Sequence, residues 1–331
     1  MARVLFVCAM DAERRAVLAE KNRGAFEAAI LDDLPEAARA QAWSGVDVLV
    51  TTGFGREIPP DLAARAPHLR MLQTLVAGVD HLPYRTIPRN LVVCGNAGAY
   101  NTSVSEHAMA LLLAAAKDIP ERTREIRSGV FDQSAMSKPL AGTTVLVLGM
   151  GGIGTTVAGI CRAFRMHVIG ASRSGAVVPP ADEGARLEDV ERLLPRAEYV
   201  IVALPLTART KGLVDRRFLT AMKEDAVLVN VARGKIVVED DLYEHLRAHP
   251  AFRAALDVWW VYPDGQEGRP FHRPFDGLPN VVMTPHNANA IPAQHREAME
   301  AAVENVLRFL RGETPRHVVD VTEYDTVAEP R

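Results

Sequence analysis

Thr143-Thr144-Val145-Leu146-Val147-Leu148-Gly149-Met150-Gly151-Gly152-Ile153-Gly154 decides the fold. The first half is an apolar, β-branched strand, and the second half is a G-x-G-x-x-G turn. Residues 155–165 follow with Val157, Ile160, Cys161 and Phe164 at helical spacing on one face. Strand, glycine turn and amphipathic helix in this order form a dinucleotide-binding arrangement. Gly149 makes the tight turn, Gly151 lets a pyrophosphate approach the backbone at the helix N-terminus, and Gly154 lets the helix pack closely on the strand. A glycine-rich turn without a ligand is the bland alternative. The flanking elements favour a bound dinucleotide.

The 331 residues suggest about two domains. Hydrophobic residues at 48% and charged residues at 24% form an ordinary globular composition, with apolar material for two cores. A net charge of −3 without a basic block argues against nucleic acid or an anionic membrane as partner. Cys8, Cys94 and Cys161 sit in apolar runs with no metal-ligand spacing, and read as buried thiols of a reducing compartment. No metal site is indicated. The apolar part of residues 1–10 is too short for a signal peptide, and the helical run 108–116 is far short of a membrane span. A soluble, cytoplasmic protein is expected.

Short apolar runs alternate with helical patterns throughout, which argues for an α/β fold with parallel sheets. Strands are expected at 4–8, 46–50, 71–75 and 91–94, and in a second series at 145–148, 167–170, 199–203, 226–230, 253–256 and 281–283. The second series suffices for a complete doubly wound sheet. Two helices are expected to join the halves. One begins at the capping box Ser103-Val104-Ser105-Glu106 and runs on through Leu113. The other covers 293–311, with Met299, Ala302, Val303, Val306 and Leu310 on one face and Gly312 and Pro315 to stop it. Val318-Val319-Asp320 is then expected to return to the first domain, and residues beyond Tyr324 read as a loose tail. The expected architecture is two Rossmann-like doubly wound domains. A cofactor domain, 103–290, is inserted into a discontinuous, flavodoxin-like substrate domain, 1–102 and 291–331.

NAD-binding units place an acidic residue about 20 residues past the glycines, on the ribose 2′-hydroxyl. Here the second strand ends in Ser172-Arg173-Ser174. A carboxylate there would repel a 2′-phosphate, whereas a guanidinium flanked by two hydroxyls binds one through charge-assisted hydrogen bonds. NADP is therefore favoured over NAD, the alternative being that Arg173 is a solvated loop residue.

Three further strands end in groups that carry chemistry. Asn230-Val231-Ala232-Arg233-Gly234 ends one with arginine, Leu256-Asp257-Val258 another with aspartate, and Thr284-Pro285-His286 the last with histidine. Ligands of open α/β sheets bind at these carboxyl ends. Singly, His286 reads as a half-buried histidine and Arg233 as a surface ion-pair partner. As a set beyond a nucleotide turn they point to hydride transfer.

With these motifs in place, the sequence resembles the D-isomer-specific 2-hydroxyacid dehydrogenases, which include glyoxylate/hydroxypyruvate reductases, phosphoglycerate dehydrogenases and formate dehydrogenases. The matching segments span nearly the whole chain: Ala77-Gly78-Val79-Asp80, Ser103-Val104-Ser105-Glu106-His107, the glycine turn, Leu204-Pro205-Leu206-Thr207 with Thr210, and the three strand ends above. The resemblance implies that Arg233 holds the substrate carboxylate and that backbone amides around Val76, Ala77 and Gly78 bind it from the first domain. His286 exchanges a proton with the carbonyl oxygen. Gly152 and Ile153 cradle the pyrophosphate, Leu204, Pro205, Thr207, Val231 and Ala232 lie along the cofactor, and Asp257 bonds the nicotinamide carboxamide. With one substrate anchor in each domain, hinge closure is the expected way to exclude water. A homodimer is implied, with the helix from Ser103 and its neighbourhood as interface, since a helix apolar on nearly every side needs cover.

The chain departs from the family in one place. Where a glutamate usually pairs with the histidine, five residues past the aspartate, this chain has Tyr262. A carboxylate beside an imidazole stabilises the imidazolium, whereas a phenol orients the ring without supplying charge. Asp264 or Glu267 from the next loop is an alternative partner. Formate dehydrogenases resemble this chain in having a neutral partner, so oxidation of formate or another oxyanion stays open, as does a non-catalytic, NAD(P)-sensing corepressor-like role. One of Trp259 and Trp260 reads as core and the other as pocket lining, with both as packing residues the plainer alternative.

Overall fold

A computed structural model describes residues 1–55, 57–265 and 267–324. The tail expected beyond Tyr324 lies outside the described residues. The chain forms two compact units: Met1–Tyr100 with the described part of Ile291–Arg331, and Asn101–Ala290.

In the first unit, β1 (Arg3–Phe6), β2 (Glu27–Ile30), β3 (Val48–Thr51), β4 (Met71–Thr74) and β5 (Val92–Cys94) form a parallel sheet ordered β2-β1-β3-β4-β5. This is a flavodoxin-like, doubly wound order. Alternation along each strand builds a core on both faces. Val4, Phe6, Val48 and Val50 pack with Val17 and with Met299, Ala302, Val303 and Val306 of the helix Gln294–Leu310. Leu5, Leu49, Leu72 and Val93 pack on the other side with Trp43, Leu62 and Leu82. The returning chain is tied in by backbone bonds. The Val319 N–H donates to Val93 O at 2.8 Å, and the Gly95 N–H to His317 O at 3.0 Å. Sequence reading missed β2, whose Glu27-Ala28-Ala29-Ile30 is half-exposed at the sheet edge and has no apolar alternation.

The second unit has seven parallel strands: β6 (Thr144–Leu148), β7 (His167–Ser172), β8 (Glu183–Arg186), β9 (Tyr199–Val202), β10 (Val227–Asn230), β11 (Arg253–Leu256) and β12 (Val281–Met283). Their order is β12-β11-β10-β9-β6-β7-β8. Six were expected. The extra strand, β8, is a polar edge strand that hydrophobic periodicity cannot see.

Two helix starts also need correction. The helix after the glycine turn is Gly152–Ala163, so Gly152 and Ile153 already belong to its first turn. The helix expected to start at a capping box on Ser103 is Asn101–Ala116. Ser103 and Ser105 are buried inside it, and the Ser105 hydroxyl donates to Ile153 O at 3.2 Å instead of capping. This helix packs on the helix Gly152–Ala163 and on β10 and β11, so much of its apolar circumference is covered within its own unit. Cys8, Cys94 and Cys161 are buried free thiols, pushed up to about 12 by burial and hence unreactive. No described helix is long and apolar enough to cross a membrane.

Candidate active site

The strand order of the second unit reverses between β6 and β9, and ligands of such sheets bind at the carboxyl ends beside that switch. Gly149 has φ +100°, and a Cβ on it would lie 2.6 Å from Ala203 O at the end of β9. A Cβ on Gly154 would lie 1.7 Å from Gly149 O, so helix and turn touch through backbone alone. A Cβ on Gly151, by contrast, would meet nothing within 4 Å. Open space therefore lies where the N-terminal amides of the helix Gly152–Ala163 have no partner along their own helix, which fits an anionic pyrophosphate.

The end of β7 is a hydroxyl-lined turn. Ser172 Oγ and Ser174 Oγ are 3.2 Å apart and accept from the N–H groups of Gly175 and Ala176, at 3.2 and 3.3 Å. Arg173 is exposed on this turn, and the turn contains no carboxylate. After β9, the Thr210 hydroxyl donates to Pro205 O at 2.6 Å and accepts from the Thr207 N–H at 2.8 Å, fixing the Leu204–Thr207 loop. Leu204, Leu206 and Thr207 are buried, whereas Pro205 is exposed.

Arg233 is set at the end of β10 by the buried amide of Asn230. Its Oδ1 accepts from the Ala232 N–H at 3.1 Å, and its Nδ2 donates to Arg233 O at 3.0 Å. Val231 and Ala232 are buried beside it. A Cβ on Gly234 would lie 2.1 Å from Trp259 O, so the segments after β10 and β11 touch here.

His286 has a left-handed backbone, φ +56°, a conformation that costs a residue with a Cβ about 1–3 kcal/mol unless its surroundings impose it. Asp257, 1% exposed, imposes it. Its Oδ1 accepts from the Thr284 hydroxyl at 2.7 Å and the Asn287 N–H at 3.1 Å, and its Oδ2 from the Ala288 N–H at 3.2 Å. His107 Nε2 lies 3.0 Å from Thr284 Oγ1 and 3.4 Å from Asp257 Oδ1. Trp259 Nε1 donates to Thr284 O at 2.9 Å. The histidine is thus gripped on both sides of its own residue.

Tyr262 stands next to His286, with ring centroids 5.4 Å apart and planes tilted by 53°. Its hydroxyl accepts from the Trp259 N–H at 3.4 Å. Asp264 and Glu267 are exposed. Trp260 stacks on Phe275 at 5.2 Å and donates to Val237 O, and Trp259 packs against Phe271, so both indoles serve packing. Sequence reading gave no role to Asn230, His107 or Thr284. All three lay inside quoted motifs, but what they hold is distant in sequence.

In the first unit, Val76, Ala77 and Gly78 follow β4, and the carbonyls of Leu75 and Val76 are tied down. The Thr74 hydroxyl donates to Val76 O at 2.6 Å, while the Tyr100 hydroxyl and Asn96 Nδ2 donate to Leu75 O at 2.5 and 3.1 Å. Among the described residues, the N–H groups of Val76, Ala77 and Gly78 donate to no acceptor. Backbone amides without an acceptor are available to an anion.

The family model described as D-isomer specific 2-hydroxyacid dehydrogenase, NAD binding domain, matches residues 109–288. The chain is 32% identical over 278 residues to a D-3-phosphoglycerate dehydrogenase of Methanocaldococcus jannaschii, covering 83% of this chain and 52% of that one. The chain thus spans about half the length of that relative. It is 30% identical over 298 residues to a glyoxylate reductase of Pyrococcus furiosus, covering 87% and 86%. In structure it is similar to the NADPH-dependent glyoxylate/hydroxypyruvate reductase of Sinorhizobium meliloti, solved with NADP and sulfate. The TM-score is 0.80 at 28% identity, over 98% of this chain and 100% of the other.

If Asp257 sets the His286 loop, Asp257→Asn lowers unfolding stability by about 2–3 kcal/mol, because an amide nitrogen would face N–H donors. Hydrogen exchange at the Asn287 and Ala288 amides accelerates with it. An unchanged urea midpoint with unchanged exchange would show that the carboxylate does not hold the loop.

Proposed function

The chain belongs to the D-isomer specific 2-hydroxyacid dehydrogenase family, and from that premise we propose that it is an NAD(P)-dependent oxidoreductase reducing small 2-oxo acids to 2-hydroxy acids. Glyoxylate and hydroxypyruvate are the first candidates. The reading rests on Arg233, Asp257 and His286 following three adjacent strands on the edge that carries the glycine turn. Arg233 holds the substrate carboxylate through paired charge-assisted bonds. The nicotinamide, when bound, supplies hydride in reduction and accepts it in oxidation. His286 gives a proton to the carbonyl oxygen in reduction and takes it from the hydroxyl in oxidation. Gly149, Gly151, Gly152, Ile153 and Gly154 would hold the pyrophosphate. Leu204, Pro205, Thr207, Val231 and Ala232 would lie along the cofactor, and Asp257 would add a bond to the carboxamide.

NADP is the preferred cofactor in this reading, supported by the hydroxyl turn with Arg173 and the lack of a carboxylate on it. A homodimer belongs to the same reading. Ile119, Ile126, Val130, Phe131 and Met136 are exposed large apolar side chains close together in sequence, and sedimentation velocity reads the mass directly, a monomer removing this part.

One observation supports a second reading. Tyr262 puts a phenol rather than a carboxylate beside His286, which suits oxidation of formate or another oxyanion, a reaction without proton transfer at the substrate. Steady-state turnover of NADPH with a panel of 2-oxo acids, and of NADP with formate, separates the two. Reduction of at least one acid is expected, and His286→Gln and Arg233→Ala each lower kcat/KM about 10²–10⁴-fold. Tyr262→Glu extends reduction to higher pH, because reduction needs the protonated imidazole and a carboxylate raises its pKa. Formate turnover alone would favour the second reading. Cofactor binding without any turnover would favour a cofactor sensor.

A further inference from the structure

Strand β8 was hidden from sequence reading, and its position adds a cation to the turn after β7. Ser172 and Arg186 are register partners at the carboxyl ends of the two parallel strands. The stem of Arg186 runs along that turn: a Cβ on Gly175, φ +70°, would lie 2.6 Å from Arg186 Cγ and 3.1 Å from its N. The Arg186 guanidinium pairs with Glu188 at 3.4 Å, and the two side chains are 60% and 73% exposed. Such a water-screened pair is worth little and is readily exchanged for a stronger anion. Residues 172–178 contain no carboxylate. The turn therefore carries two hydroxyls and Arg173, and the stem of Arg186 lies against it.

A phosphate monoester carries close to two negative charges and three acceptor oxygens, and one guanidinium satisfies at most two of them. We propose that Arg186 is a second cation for the 2′-phosphate of NADP, acting with Arg173, so that cofactor choice in this chain is set from β8 as well as β7. This rests on the NADP reading above. Residues on the free edge of a sheet are invisible to a motif centred on the second strand. A cation there acts on the phosphate alone, since NADH differs from NADPH only in lacking it.

Binding of the two reduced cofactors, followed by nicotinamide fluorescence with no substrate present, tests this. The native protein is expected to bind NADPH more tightly than NADH. Arg186→Gln weakens NADPH about tenfold and leaves NADH within about twofold. Arg186→Lys, which keeps the charge and loses the fork, falls between. NADPH binding to Arg186→Gln also becomes less sensitive to salt than in the native protein. Equal losses for both cofactors would mean that Arg186 touches the adenosine or supports the fold, and no loss would mean that it touches nothing. Either result overturns the proposal while NADPH preference stands. If the native protein instead binds NADH as tightly as NADPH, the NADP reading itself falls.

Discussion

The carboxylate of Asp257 is the constraint on which the candidate site depends. It sits at the end of β11 and accepts from Thr284, Asn287 and Ala288 after β12, so two adjacent strand ends are tied through one buried anion. Burying a carboxylate is costly unless donors surround it, and here the donors belong to the loop that must be held. The loop in turn keeps His286 in a left-handed conformation that it would not adopt alone. Satisfaction of the acid and orientation of the histidine are the same set of bonds.

Elsewhere the site is built by close backbone approach. Gly154 against Gly149 O, and Gly234 against Trp259 O, are places where a methyl group would displace main chain rather than a flexible side chain. Parallel strands of buried Val, Leu and Ile set the spacing of the carboxyl edge, and these contacts bring turn and helix up to it. Asn230 does the same work for Arg233 with an amide, closing a short bracket around the residue after β10. Arg233 is thus positioned by a neutral group.

Much of this was legible because it is local. Buried parallel strands are continuous apolar runs, and the glycine turn, Arg233 and His286 follow directly on such runs. Edges were not legible: Glu27-Ala28-Ala29-Ile30 and Glu183-Gly184-Ala185-Arg186 are strands through pairing with a neighbour, and neither has a pattern of its own. Ser103 and Ser105 misled for a related reason. Hydroxyls near a helix start suggest a cap, but tertiary packing placed them inside the helix, with Ser105 bonded to Ile153. The contact of His107 with Thr284 joins residues 177 apart, and no local rule anticipates it. Tyr262 was legible as a departure, while its packing against His286 and its bond from the Trp259 N–H needed the structure.

The central claim is that this edge receives a 2-oxo acid against a bound nicotinamide. Calorimetric titration of oxamate, a 2-oxo acid analogue that cannot be reduced, into the protein saturated with NADPH tests it most directly. The account predicts saturable binding at one site per chain, tighter with NADPH than without. Equal binding with and without the cofactor, or none at all, would contradict it.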